Sequence, residues 1–168
     1  EQGPPRLAAL RAELAARGLT GFLVPRADAH QGEYVGARDA RLEWLTGFTG
    51  SAGFALVLPD VAGVFIDGRY TVQVRGQIDL SVFTPVDWPA NAAADWLRRH
   101  APAGAAIGYD PWLHTPDEIG RIESGLAGSG ITLTAVESNP VDAIRPDLPA
   151  PPCGRVRQHP LALAGLSS

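Results

Sequence analysis

Leu7, Leu10 and Leu14 fall on one helical face behind Pro4 and Pro5, which suit a first turn, and Gly18 offers a left-handed stop. The chain is therefore expected to open with an amphipathic helix. "LTGFLVP" (19–25) is short, apolar and closed by proline, as a buried strand would be. The polar segment from Arg26 to Asp39 has no sustained period and reads as a long loop, leading into a short helical stretch over Arg41 to Leu45. "FALVLPDVAGVFID" (54–67) is two apolar runs around Pro59-Asp60, the pattern of a hairpin whose strands are covered on both faces. Tyr70, Val74 and Ile78 stand at helical spacing, so 69–78 is expected as a helix even though Thr71 and Val72 are poor helix formers.

Further along, "LSVFTPV" (80–86) alternates like a strand, and Pro89 to His100, with Ala92, Ala93, Trp96 and Leu97, reads as a helix. "AAIGYD" (105–110) is a short strand. Thr115 as cap, Pro116 at the first position and Glu118 at the third begin another helix, whose stripe is Ile119, Ile122 and Leu126. Gly128 and Gly130 end it, and 131–136 alternates as a last strand. Helical and extended signals thus alternate throughout, an α/β pattern. From Pro140 the composition shifts, with prolines at 140, 146, 149, 151, 152 and 160, which is the physics of a semi-rigid linker. The expected division is a domain over 1–139 and a proline-rich linker over 140–168, pointing to downstream domains.

Composition narrows the chemistry. A formal net charge of -4 and no lysine among 14 basic residues argue against a nucleic-acid partner and exclude Schiff-base and phosphate-loop lysine roles. Cys153 is the sole cysteine, so neither an intrachain disulfide nor a thiolate metal cluster can form, which fits a cytoplasmic location. No apolar run approaches the ~20 residues of a membrane span, and no membrane partner is expected. Residue 1 is Glu and methionine is absent, so a processed or trimmed chain is expected.

"WLTGFTGSAG" (44–53) invites a chemical reading, because Gly47, Gly50 and Gly53 recur every three residues beside Ser51. A dinucleotide fingerprint needs G-x-G-x-x-G between a strand and a helix, and here both spacing and order differ. The nucleophile elbow G-x-S-x-G fails too, since Thr49 stands two positions before Ser51. The glycines are instead expected to permit unusual backbone where a helix hands over to a central strand. Asp28, His30 and Glu33, with Asp39 and Glu43 further on, are oxygen and imidazole donors that could serve a metal, against the alternative of bonding their own backbone. His100, His114 and His159 are scattered, and no triad is apparent. Trp44, Trp88, Trp96 and Trp112 lie on different elements and are expected as core or covering aromatics, with Trp88 in an exposed turn. In "DGRY" (67–70) Asp67 is a sensible cap, whereas a cation at Arg69 opposes the macrodipole. Arg69 therefore either serves a partner or pairs with Asp67.

"RADAHQGEYV", "RLEWLTGFTGSAGFALVL", "FIDGRYTVQVRGQID", "GYDPWLHTP" and "ESNPVDAI", in this order and spacing, make the chain resemble the N-terminal domain of long, three-domain Xaa-Pro aminopeptidases. The resemblance implies a creatinase/prolidase-type N-terminal domain, a mixed sheet of about six strands with helices on both faces. It implies that this chain alone is not an enzyme and has no catalytic residue, metal ligand or cofactor. Two divalent metal ions, usually manganese, would sit in an absent catalytic domain of the parent, which removes the residue before proline. The implied partners are the middle and catalytic domains of the same parent, its peptide substrate and a second copy in a homo-oligomer. Because "DGRY" recurs in relatives whose N-terminal domain faces the active-site mouth, Arg69 is the expected substrate-binding residue. The alternative is a free-standing protein-interaction module. One departure is Arg145, where relatives often place an aromatic after "VDAI".

Overall fold

The computed structural model describes residues 2–164. Its centre is a six-stranded mixed sheet of β1 (Gly21–Pro25), β2 (Phe54–Val57), β3 (Ala62–Ile66), β4 (Thr84–Asp87), β5 (Ala106–Tyr109) and β6 (Thr132–Ala135), in the order β4-β3-β2-β1-β5-β6. β2 is antiparallel to both β1 and β3, while the β3–β4, β1–β5 and β5–β6 pairs are parallel. It follows that only β2 runs against the other strands.

The apolar runs are continuous because both faces are covered. Phe22, Val24, Ala55, Val57, Val64 and Ile66 point to one face, where α1 (Gly3–Ala16), α2 (Arg41–Thr46) and α3 (Gln73–Gln77) add Leu7, Leu10, Leu14, Leu42, Leu45 and Val74. Leu23, Leu56, Phe65 and Ile107 point to the other, beneath α4 (Ala93–His100) and α5 (Pro116–Leu126), which add Trp96, Leu97 and Leu126. α5 is capped as its sequence predicts, the Thr115 hydroxyl accepting from the Glu118 N–H at 3.2 Å.

Three elements differ from the sequence expectation. The helix expected over 69–78 is a 3-10 turn at Gly68–Tyr70 followed by α3, with Val74 and Ile78 buried as the spacing required. Residues 79–83 wind into a turn instead of starting a strand, because the Asp79 carboxylate accepts from the Ser81 N–H at 2.9 Å and its hydroxyl at 2.6 Å. The helix expected from Pro89 starts at Ala93.

The folded body also continues past residue 139, where composition placed the boundary. Pro140 is the first residue of α6 (Pro140–Ala143), capped by the Asn139 side chain, and Val141 is fully buried. Asp142 then grips the buried Arg41 through two bonds of 2.8 Å, with Asp39 at 3.1 Å. Arg145 donates to the carbonyls of Arg38 and Ala37, both at 3.1 Å, and lies over the Trp44 ring, whose other neighbour is Arg6 at 4.3 Å. Arg145 is thus held by stacking and backbone carbonyls rather than by apolar burial. Residues 150–160 are exposed and without regular structure, and α7 (Leu161–Ala164) is exposed as well.

The glycine stretch is structural. Gly47 closes α2 with φ of 84°, and Gly53 has φ of 152°. A Cβ on Gly53 would stand 2.6 Å from the Phe65 carbonyl oxygen, and one on Gly50 would stand 2.1 Å from Cζ of the buried Phe48 ring. Gly50→Val and Gly53→Val are each expected to cost on the order of 1–3 kcal/mol through strain. Unchanged urea midpoints in both variants would overturn this. Asp142→Ala should cost about 3 kcal/mol, the low end for breaking a buried ion pair, because Asp39 still faces Arg41. A thermal melt of this variant matching the parent would show that α6 is not part of the cooperative unit.

Candidate functional site at the carboxyl edge of the sheet

Because five strands run one way, their carboxyl ends share an edge with the start of β2, and that edge collects the motifs the sequence singles out. Along it lie Trp88 after β4, "DGRY" after β3, "GFTGSAG" before β2, the Asp28 loop after β1 and "DPW" after β5. Open α/β sheets present ligands at such strand ends.

The Asp67–Tyr70 turn and the glycine stretch are joined. Tyr70 Oη and Ser51 Oγ are 2.6 Å apart, the Ser51 N–H donates to the same phenol at 3.2 Å, and the Tyr70 ring meets Phe48 edge-on. Thr49 is fixed from α3, its N–H donating to Gln77 at 3.0 Å and its hydroxyl accepting from Gln77 at 2.7 Å. Nothing in the sequence announced these cross-links, since Ser51 and Tyr70 are common residues nineteen positions apart.

Arg69 pairs with Asp67. The carboxylate accepts from the Arg69 N–H at 2.9 Å, from Nε at 3.0 Å and from Nη2 at 2.7 Å, which lowers the Asp67 pKa and raises that of Arg69. The three-residue 3-10 turn is too short for a macrodipole to set against this ion pair. The guanidinium nevertheless lies over the Tyr70 ring at 5.0 Å, the side chain is 66% exposed, and Nη1 has no bond among the described residues.

The structure does not assemble Asp28, His30 and Glu33. Asp28 Oδ1 accepts from the N–H groups of Gly32 at 3.0 Å and His30 at 2.9 Å, closing the loop on itself. Those bonds, the Gly32 one foremost, hold its carboxyl below the usual carboxylate range. Asp39 is engaged by Arg41, and among the described residues no three His, Cys, Asp or Glu side chains come together as a metal ion requires. His100 packs on Trp96, His114 is buried with Nδ1 at 3.3 Å from Glu118, and His159 is exposed in the tail segment.

A cleft of about 490 Å³ opens at the same edge on the α4–α5 side, floored by Leu23 and Phe54 and walled by Trp88, Leu113 and Ile122. Its size is that of a ligand site, for which ~300–1,000 Å³ is usual. The exposed turn at Trp88 was expected from the sequence; the cleft was not, because Phe54, Leu113 and Ile122 join Trp88 only across the sheet.

Residues 6–146 match the model of the creatinase/prolidase N-terminal domain. The chain is 36% identical to human Xaa-Pro aminopeptidase 2 over 150 residues, covering 87% of this chain but 22% of that protein. The crystal structure of X-prolyl aminopeptidase from Caenorhabditis elegans, described as a cytosolic enzyme with a di-nuclear active site, superposes with a TM-score of 0.81 at 30% identity, over 89% of this chain and 26% of that one. The N-terminal domain of the cytoplasmic peptidase PepQ from Mycobacterium tuberculosis superposes with a TM-score of 0.65 at 26% identity, covering 84% of this chain and 98% of that domain. The chain therefore spans about a quarter of the full-length peptidases it matches. With the same six-stranded sheet between two helical layers and a family match over most of its length, the chain belongs to the creatinase/prolidase N-terminal domain family.

Proposed function

We propose that this chain is the non-catalytic N-terminal domain of a metal-dependent, cytoplasmic Xaa-Pro aminopeptidase, shaping access to the active site and contributing to oligomer contacts. The observation that carries the reading is coverage: the chain matches the family model over 6–146, and its 150-residue alignment spans only 22% of a relative named for the peptidase activity. The donor geometry is in keeping with it, since Asp28 Oδ1 is bonded to the amides of its own loop. Two divalent ions, manganese in our reading, would belong to a downstream domain, as the di-nuclear site described for the C. elegans enzyme suggests. Residues 150–164, exposed throughout, would connect to the middle domain. Arg69 would meet the peptide from outside the catalytic domain, with the unbonded Nη1 donating to a peptide carbonyl or carboxylate.

The chain alone should show no turnover of peptides with proline second, even with added manganese. Turnover that disappears in an Asp28→Ala, His30→Ala double variant would overturn the reading. In the full-length parent, Arg69→Ala should raise KM more than it lowers kcat, because the contact is made in ground and transition states alike. An unaltered KM across several peptide lengths, in a variant that melts like the parent, would make Arg69 purely structural.

The same turn carries a spectroscopic handle. The hydrogen bond to the Ser51 hydroxyl, against a smaller opposing effect of burial and with help from the Ser51 N–H and the Arg69 charge, holds the Tyr70 phenol below its ordinary pKa. Ser51→Ala should therefore raise the Tyr70 midpoint in an NMR titration of ring-labelled tyrosine. A midpoint that stays put would mean the Ser51–Tyr70 bond is not formed in solution.

A further inference from the structure

The cleft on the α4–α5 side is separate from the guanidinium of Arg69, yet continuous with its turn, because Ser51 both lines the cleft and bonds Tyr70. Trp88 stands edge-on to Phe54 with ring centroids 6.2 Å apart and remains 40% exposed, so the indole wall is held in place but uncovered. Leu113 and Ile122 line the same cleft.

Charge around the opening is uneven. Glu118, the one carboxylate in the lining, has Oε1 within 3.3 Å of buried His114. Two guanidiniums line the same space. That of Arg26 bonds only the Glu33 carbonyl, at 3.1 Å from each terminal nitrogen, and that of Arg121 has neither hydrogen bond nor ion pair among the described residues. An apolar body with a rim of two guanidiniums against one carboxylate complements a ligand that is apolar at one end and anionic at the other. The exposed segment 150–160 is a poor occupant, since it carries Arg155 and Arg157 and no acidic residue.

We propose that this cleft binds the carboxyl-terminal residue of a peptide, holding its apolar side chain between Trp88 and Ile122 and its carboxylate against Arg121. The proposal rests on the reading that this domain stands beside the path of a peptide substrate. It adds a second anchor, for the end of the peptide opposite the one that is cleaved.

The test is an NMR titration of the 168-residue chain with the peptide Gly-Pro-Ala-Leu and with its carboxyl-terminal amide, following the indole N–H signals. Trp88 is identified by the signal missing from Trp88→Phe. The free acid should shift that signal saturably and bind at least about tenfold more tightly than the amide, the factor expected for one charge-assisted contact. Arg121→Gln should reduce the acid to the level of the amide, and Arg75→Gln, an exposed cation on α3 at the other face of the sheet, should leave it unchanged. Equal binding of acid and amide, an unshifted Trp88 signal, or indifference to Arg121→Gln would each overturn the proposal. If Arg69→Ala abolishes binding while Arg121→Gln does not, the peptide lies on the Asp67–Tyr70 turn; the cleft proposal then fails while the functional reading stands.

Discussion

Burial of β1, β2 and β3 on both faces is the constraint on which the rest of the structure depends. Strands covered on two sides need two helical layers, and parallel neighbours need crossovers long enough to hold a helix. Once β2 alone is reversed, the loops after five strands gather at one edge. The functional residues proposed here, Arg69 and the Trp88–Arg121 cleft, are consequences of that geometry rather than of any one motif. Gly63 shows how tightly the middle is filled, since a Cβ there would lie 3.0 Å from the Trp96 ring of α4.

The edge is stiff where its loops bond one another. Ser51 with Tyr70, and Thr49 with Gln77, tie the approach to β2 onto the turn after β3, so the ion pair of Asp67 and Arg69 rests on a braced base. A pair this exposed adds little to stability by itself. What the bracing provides is orientation, which matters for the contact with a peptide proposed for Arg69.

Periodicity revealed the elements that meet the core along one clean stripe. Leu7, Leu10 and Leu14 placed α1, and Thr115 with Glu118 placed the start of α5, because local chemistry and tertiary burial agree there. Residues 79–83 misled because Val82 and Phe83 are apolar for packing while Asp79 bonds Ser81 into a turn, and side-chain bonding to the backbone overrode alternation. Pro140 misled for a different reason: proline marks a helix start as readily as a linker, and only the burial of Val141 and the grip of Asp142 on Arg41 distinguish them.

Site residues were legible only where their neighbours in sequence are also their neighbours in space. Asp67 and Arg69 are two positions apart, and their pairing could be anticipated. Phe54, Trp88 and Ile122 belong to a strand, a turn and a helix, and no spacing rule links them. The same limit explains why donor-rich "DAHQGEY" looked more chemical than it is: counting donors cannot show that Asp28 is already bonded to the amides of His30 and Gly32. Resemblance along most of the chain compensates for this, because it registers the order of elements rather than any single cluster.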